Sequence, residues 1–410
     1  MSAETRRTIA MKKILALVLT LVFALSCAGL ASADFDGEIK IWVAEATVEF
    51  TKAQVEAFKA EHPEYANMTV TVEPVGEGDA ASNMLTDVEA GADIFGFAQD
   101  QLGRLVGAGA LVDVLPENAE IVAATNDAGS VSAVKMGDVM YAYPMTSDNG
   151  YFLYYDKSVV TDPTSMEAIL ADCEAAGKSV YMEINSGWYQ TAFFFGAGNT
   201  LTYSTDDTGA ITAMDCNYAS ENGVKALKSM IKLAQSPAHV NGSSASNATN
   251  LGAIVDGTWD AAVVKEMLGE NYAATKLPTI DGYQLGGFGG FKMLGVKPQD
   301  DEDKLAACDA LALYLTSEAV QTARFEAVGW GPSNLNAQQS DAVKADVALS
   351  ALASQLQYCI GQGQYPGEYW TLATALGDDI LADKYDAYTD EQLMEVLTTF
   401  QTTAGSYITK

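Results

Sequence analysis

Between residues 38 and 107 the sequence alternates short β-branched or aromatic runs with amphipathic ones, and this alternation restricts the fold more than any other feature. Glu38-Ile39-Lys40-Ile41-Trp42-Val43 reads as a strand. Residues 50–60 read as an amphipathic helix halted near Pro63, and residues 68–73 as a second strand alternating Val and Thr. Residues 80–90 read as a helix, 92–97 as a short buried strand and 100–107 as a further helix. Such alternation builds a largely parallel sheet covered by helices, the mark of an α/β domain. Ligands of such sheets collect at the carboxyl ends of the strands. Glu45, after the first strand, and Phe97 and Asp100, after the third, are therefore expected at a cleft.

The character changes around Tyr141-Ala142-Tyr143-Pro144. A strand at 151–156, a helix at 164–176, a strand at 179–184, a polar hairpin at 200–216 and a long helix at 220–234 read as a second α/β lobe. Gly286-Gly287-Phe288-Gly289-Gly290 followed by Met293-Leu294-Gly295-Val296 marks a return to a sheet. Helices are expected at 303–316, 317–328, 341–360, 368–383 and 390–402, with a break at 361–367. The 410 residues suffice for two domains.

At the amino end, Lys12-Lys13 precede an apolar run at 14–25, and Ala31-Ser32-Ala33 precede Asp34. A positive region, a short apolar stretch and an Ala-x-Ala site read as a secretory signal over residues 1–33. A lipid anchor at Cys27 is the competing reading, disfavoured because Ala24 stands where lipoprotein signals usually carry Leu. No other apolar stretch is long enough to span a membrane. The net charge is −31, and removing the leader, with Arg6, Arg7, Lys12 and Lys13 against Glu4, makes it more negative still. So acidic a chain repels nucleic acid and anionic membranes. Export permits disulfides. Cys173, Cys216, Cys308 and Cys359 show no Cys-x-x-Cys spacing, so a zinc site is unsupported and either pairing or burial as free thiols is open.

Catalytic constellations are scarce. His62 and His239, the only two histidines, both read as solvent-exposed residues at helix ends. No G-x-S-x-G or P-loop pattern occurs. Asp300-Asp301-Glu302-Asp303 lacks the glycine and spacing of a calcium loop and suits a helix cap instead. No catalytic residue, metal or cofactor is expected, although 54 acidic side chains mean that counting alone does not speak against a glycosidase carboxylate pair.

Aromatic residues are the stronger lead. Asn185-Ser186-Gly187-Trp188-Tyr189 puts two amphipathic rings directly after a polar turn and before an apolar helical run. Flat, wettable ring faces suit a ligand that is half apolar and half hydroxyl, such as a sugar; the alternative is that Trp188 and Tyr189 pack in the core. Trp259, Trp330 and Trp370 also lie close to turn residues. Glu45, Asp100, Asp148, Asn149 and Asn185 offer hydrogen bonds to hydroxyls. A stacked ring adds about 0.5–1.5 kcal/mol, so several are needed for the ~8 kcal/mol of micromolar affinity.

The chain resembles the extracytoplasmic solute-binding proteins of sugar ABC importers, most closely the maltose/maltodextrin-binding proteins. The resemblance rests on Ile39-Lys40-Ile41-Trp42, Ala92-Asp93-Ile94-Phe95-Gly96-Phe97-Ala98-Gln99-Asp100, Ala142-Tyr143-Pro144 before Tyr155-Asp156-Lys157, Gly187-Trp188-Tyr189, Asp256-Gly257-Thr258-Trp259 and Tyr369-Trp370. It implies a two-lobed periplasmic-binding-protein-like α/β fold with a hinge and an interlobe cleft. The first lobe would comprise 34–142 and 279–332, the second 143–278 and 333–410. It further implies that Trp188, Trp259 and Trp370 stack on glucosyl rings, that Phe97 replaces a more usual Trp, and that Asp100 binds hydroxyls. Ala46-Thr47 replaces the family's acid–lysine pair, with Glu45 adjacent, and Asp148 only approximately matches a further acid.

The resulting expectation is an exported, non-enzymatic, monomeric binding protein that delivers malto-oligosaccharides to a membrane ABC permease by hinge closure. A binding protein for another oligosaccharide or solute, or a secreted glycoside hydrolase, are the alternatives. Under the family fold Cys173 and Cys216 share the second lobe, where pairing is open, whereas Cys308 and Cys359 fall in different lobes and are expected free.

Overall fold

The computed structural model describes residues 35–205 and 211–408. The leader read over residues 1–33, with Cys27, lies outside the described residues. Within them, no helix is long and apolar enough to cross a membrane.

The main sheet has ten strands, numbered here in chain order: β1 (Glu38–Val43), β2 (Thr69–Pro74), β3 (Ile94–Ala98), β4 (Tyr143–Asp156), β5 (Ser179–Tyr181), β6 (His239–Val240), β7 (Leu251–Gly257), β8 (Tyr272–Thr275), β9 (Gly287–Val296) and β10 (Cys359–Gly361). Their order is β6-β5-β7-β4-β9-β3-β1-β2, with β8 on β4 and β10 on β9. The flanks are parallel, β1 with β2 and β3, and β5 with β6 and β7. The centre is antiparallel, where β4 pairs with β7 and β9, and β9 with β3. The parallel pairing expected from strand–helix alternation therefore holds at the flanks and where β10 joins β9, but not among β7, β4, β9 and β3.

The central reversal follows from the two long strands carrying the chain out and back between two hydrophobic cores. Along β4, Tyr143 lies in the first core and Tyr151 and Leu153 in the second. Along β9, Phe288 lies in the second and Met293 and Leu294 in the first. Ile280, Tyr283 and Leu285 also pack in the second core. A smaller cluster, including Phe152, Ile254 and Leu352, packs apart from both.

Helix α1 (Val48–Glu61) buries Val48, Thr51, Val55 and Phe58, the three-and-four spacing of a single face. It stops at His62, whose ψ of 82° is out of the helical region, which a following proline disfavours. Helix α2 (Gly187–Gly196) is buried almost all round, from Tyr189 to Phe195, because β9 and two other helices pack on it. Those are α3 (Glu221–Ala234), capped by Ser220, and α4 (Gly367–Leu381). Asp301 caps the helix Glu302–Leu315, accepting from the backbone N–H groups of Asp303 and Lys304, as the acidic run suggested.

The single helix expected at 341–360 is instead two, Asp341–Ala345 and Val347–Leu356, followed by β10. Asp346 is extended at ψ 129° and its side chain accepts from Leu349 N–H, so a cap interrupts the helical run. All four cysteines of the described residues are unpaired, and Cys173, Cys216 and Cys308 are buried.

Candidate functional site

A cleft of about 900 Å³ opens between the two main cores. From the first side Glu45, Glu77 and Asp100 line it, just after β1, β2 and β3, together with Arg104 of the helix Leu102–Gly107. Opposite stand Glu183, Asn185, Trp188, Trp259, Asp260 and Trp370. Asn149 of β4, Lys292 of β9, Trp330 and Gln362 complete the lining.

Each half-buried tryptophan is held at a defined angle. Trp188, in the first turn of α2, donates its indole N–H to Gln362 Oε1 at 3.2 Å. Its ring stands edge-on to Tyr151, 4.6 Å between centroids at 73°, and is tilted 45° from Trp259 at 5.9 Å. Trp259 packs over Gly257, where a Cβ would fall 2.1 Å from the indole ring. Trp370, in the first turn of α4, packs against Gly187, where a Cβ would lie 3.1 Å from Trp370 Cε3 and 2.7 Å from Ala373 Cβ. Ring placement requires Gly257, whereas at Gly187 the tighter limit is set by Ala373.

The polar groups of the cleft are under-satisfied. Asp100 Oδ1, Glu77 Oε1 and Gln99 Oε1 are sealed from solvent without a hydrogen-bond partner. A buried acceptor left without a donor costs about 1–3 kcal/mol. Burial pushes the Asp100 carboxyl up to about 6, against the opposing pull of its own backbone N–H and Arg104. Asp256, just before Trp259 in the chain, is raised well above the ordinary carboxylate range, first by burial and then by the neighbouring Asp260. Lys292 is 4% exposed. Its Nζ lies 3.8 Å from the centroid of Trp330 and 5.0 Å from that of Trp259. Among the described residues, no cluster of His, Cys, Asp and Glu could hold a metal.

Of the residues singled out in the sequence, Glu45, Asp100, Asn149, Asn185, Trp188, Trp259, Trp330 and Trp370 come together in this cleft. Three others do not line it. Phe97 is fully buried in the first core beside Phe95, 5.6 Å between rings, because both faces of β3 are covered. Tyr189 follows Trp188 on α2, and the helical turn of about 100° per residue sends it into the second core against Tyr151 at 4.8 Å. Asp148 is buried, accepting from Thr258 Oγ1 and Gly331 N–H, each at 2.6 Å. It thereby braces the turns that carry Trp259 and Trp330.

The histidines lie elsewhere. His62 stacks on Phe58 at 4.4 Å. His239, expected at an exposed helix end, is instead in β6 with Nε2 2.9 Å from Met182 O, and burial lowers its pKa. Sequence reasoning missed Glu77, Arg104, Lys292 and Gln362. Two of them carried a signal: Glu77 sits between Gly76 and Gly78 after a strand, and Lys292 is the lone cation in Phe288–Val296, an otherwise apolar segment of β9.

The fold has close counterparts. The maltodextrin-binding protein MalE1 from L. casei BL23, solved without ligand, is 24% identical, with 90% of this chain and 99% of that chain aligned at a TM-score of 0.74. A chain solved with acarbose is 27% identical over 91% of this chain and 99% of its own, at 0.79. The maltose-maltodextrin binding protein of Alicyclobacillus acidocaldarius is 19% identical over 89% and 100%, at 0.71. These likenesses identify the architecture as the two-lobed fold of periplasmic binding proteins. No curated protein matches the sequence. The model of the bacterial extracellular solute-binding protein family matches residues 53–351, and the chain belongs to that family.

Proposed function

We propose that the protein binds malto-oligosaccharides in the interlobe cleft and hands them to a membrane ABC permease after hinge closure. The observation that carries this reading is the gathering of Trp188, Trp259 and Trp370 in one cleft with the carboxylate side chains of Asp100 and Glu77. Rings take the apolar faces of glucosyl units, and the carboxylates accept from hydroxyls. Glu45, exposed at the rim, adds a further acceptor. Phe97, Tyr189 and Asp148 support these groups from behind. The relatives solved as maltodextrin-binding proteins, and the one solved with acarbose, favour the same ligand class.

The lobes move about β4 and β9. Their expected bounds, 34–142 and 279–332 for the first and 143–278 and 333–410 for the second, change at one point. Ile280, Tyr283, Leu285 and Phe288 pack in the second core, so the first lobe resumes at Met293. A sugar touching both lobes stabilises the closed form by its extra contacts there. Driving closure from 1:99 to 99:1 takes about 5.5 kcal/mol of differential binding, within reach of three stacked rings and several charge-assisted hydrogen bonds. The net charge of −31 keeps nucleic acid away.

Calorimetric titration with maltose through maltoheptaose, beside cello- and xylo-oligosaccharides, tests the reading. Heat and tryptophan emission changes with the malto-series, without release of new reducing ends, are expected. Silence across the malto-series with binding of another sugar transfers the function to that sugar. Release of reducing ends overturns the binding-protein reading.

A further inference from the structure

Lys292 is a buried cation whose Nζ makes no ion pair or hydrogen bond among the described residues. The residue as a whole is buried, but its ammonium opens into the cleft without an acceptor from the protein and is left to donate to an occupant. What holds it is visible: the faces of Trp330 and Trp259 lie 3.8 and 5.0 Å from Nζ, and indole faces attract cations. The aiming is visible too. The register of β9 against β4 shifts on both sides of Lys292, between Gly290 and Lys292 and again before Met293, and such irregularities redirect a side chain. They turn this one into the cleft.

We propose that Lys292 is a specificity-determining residue whose ammonium donates to a neutral oxygen of the bound ligand. The assignment rests on the sugar-binding reading above and specifies which part of the ligand is read. The carboxylates of the cleft can only accept, so they recognise hydroxyl hydrogens. Lys292 supplies the complementary donor for a hydroxyl lone pair or a ring or glycosidic oxygen. The acceptor is neutral, because Glu45, Glu77, Asp100, Glu183 and Asp260 outnumber Arg104 and Lys292 along the lining and repel a ligand carboxylate.

The test combines two variants with a set of monodeoxy maltosides. Lys292→Met keeps the stem between the indoles and removes the donors; Lys292→Arg keeps charge and donors. Against maltotriose, Lys292→Met is expected to lose about tenfold or more in affinity and Lys292→Arg less. One deoxygenation should weaken binding to the unaltered protein yet cost nothing further on Lys292→Met, a readout that a purely structural role would not produce. If the methionine variant fails to fold by circular dichroism, the same deoxy set on Lys292→Arg decides, since an altered penalty at a single position is expected. Equal affinities of the unaltered protein and Lys292→Met overturn the assignment and leave sugar binding standing. Absence of binding by the unaltered protein overturns both, and preference for a uronic acid over the neutral sugar overturns the neutral acceptor.

Discussion

Trp188 and Gln362 meet through an indole N–H donating to a side-chain oxygen at 3.2 Å, and this pair ties the segment 361–367 to the wall of the cleft. The same oxygen accepts from Asn149 Nδ2 at 3.2 Å, the Gln362 backbone N–H donates to Gly289 O at 3.0 Å, and its carbonyl accepts from Gln99 Nε2 at 2.7 Å. Gln364 joins the same turn, accepting from Gly103 N–H at 3.0 Å and donating to Gln99 O. One short segment thus touches the turn after β3, the crossing strands and the Trp188 ring.

Gln362→Ala removes the brace on Trp188 and the bond from Asn149, while the backbone link to Gln99 remains. A lost hydrogen bond of this kind is worth about 1 kcal/mol, so maltotriose affinity should fall roughly fivefold. Titration calorimetry reads the affinity, and the emission maximum of the free protein should move as the indole loses its acceptor.

The three cleft tryptophans should contribute separately. Trp188→Ala, Trp259→Ala and Trp370→Ala each remove a stacking face, costing about 0.5–1.5 kcal/mol of ligand affinity, with larger losses where the ring is gripped from both sides. The thermal unfolding midpoint should also fall for Trp188→Ala and Trp370→Ala, because both rings pack against the second core. A full-affinity Trp370→Ala would show that the ligand does not reach the first turn of α4.

Gly257→Ala tests the packing beneath Trp259. A Cβ would sit 2.1 Å from the indole, so the ring must swing away, and such overpacking costs about 1–3 kcal/mol. Weakened sugar binding with an unchanged far-ultraviolet spectrum is the expected result.

Asp100 sets a pH dependence. Its folded pKa of about 6 stands above the ordinary 3.8, so the folded state holds the proton over a range where the unfolded state has lost it. Asp100 therefore makes stability fall as pH rises from about 4 to about 6, with no further change above. Ligand affinity should run the other way, because an ionised carboxylate accepts more strongly from hydroxyls. Asp100→Asn should flatten both profiles, measured by denaturant unfolding and by calorimetry at pH 5 and 7.5.

The thiols should be inert. Burial pushes Cys173 up to about 11 and Cys216, Cys308 and Cys359 to about 12, so almost no thiolate exists at pH 8. The chain from residue 34 should keep its mass and melting temperature in reductant, and take up iodoacetamide only after unfolding.

Much of the architecture was legible locally. The flanking strands and their helices follow from periodicity and caps carried by neighbouring residues, as in α1 with its single buried face and the Asp301 cap. The antiparallel centre was not legible, because pairing of β4 with β9 joins segments far apart in sequence and no local pattern encodes direction. The broken helix at Asp346 turned on one side chain choosing a cap over a helical turn.

The sequence by itself determined that the chain alternates strands and helices, carries a strongly acidic net charge and places tryptophans beside turns. The tertiary structure decided which aromatics face the cleft. Tyr189 satisfied the same sequence criterion as Trp188, and Phe97 stood at a strand's carboxyl end, yet both are buried, since exposure depends on which neighbouring layers cover a side chain. The structure also brought Glu77, Lys292 and Gln362 to the site from β2, β9 and the segment after β10. A buried charge or amide becomes a binding group only when distant strands leave it a cavity to face, and that is a property of the assembled layers.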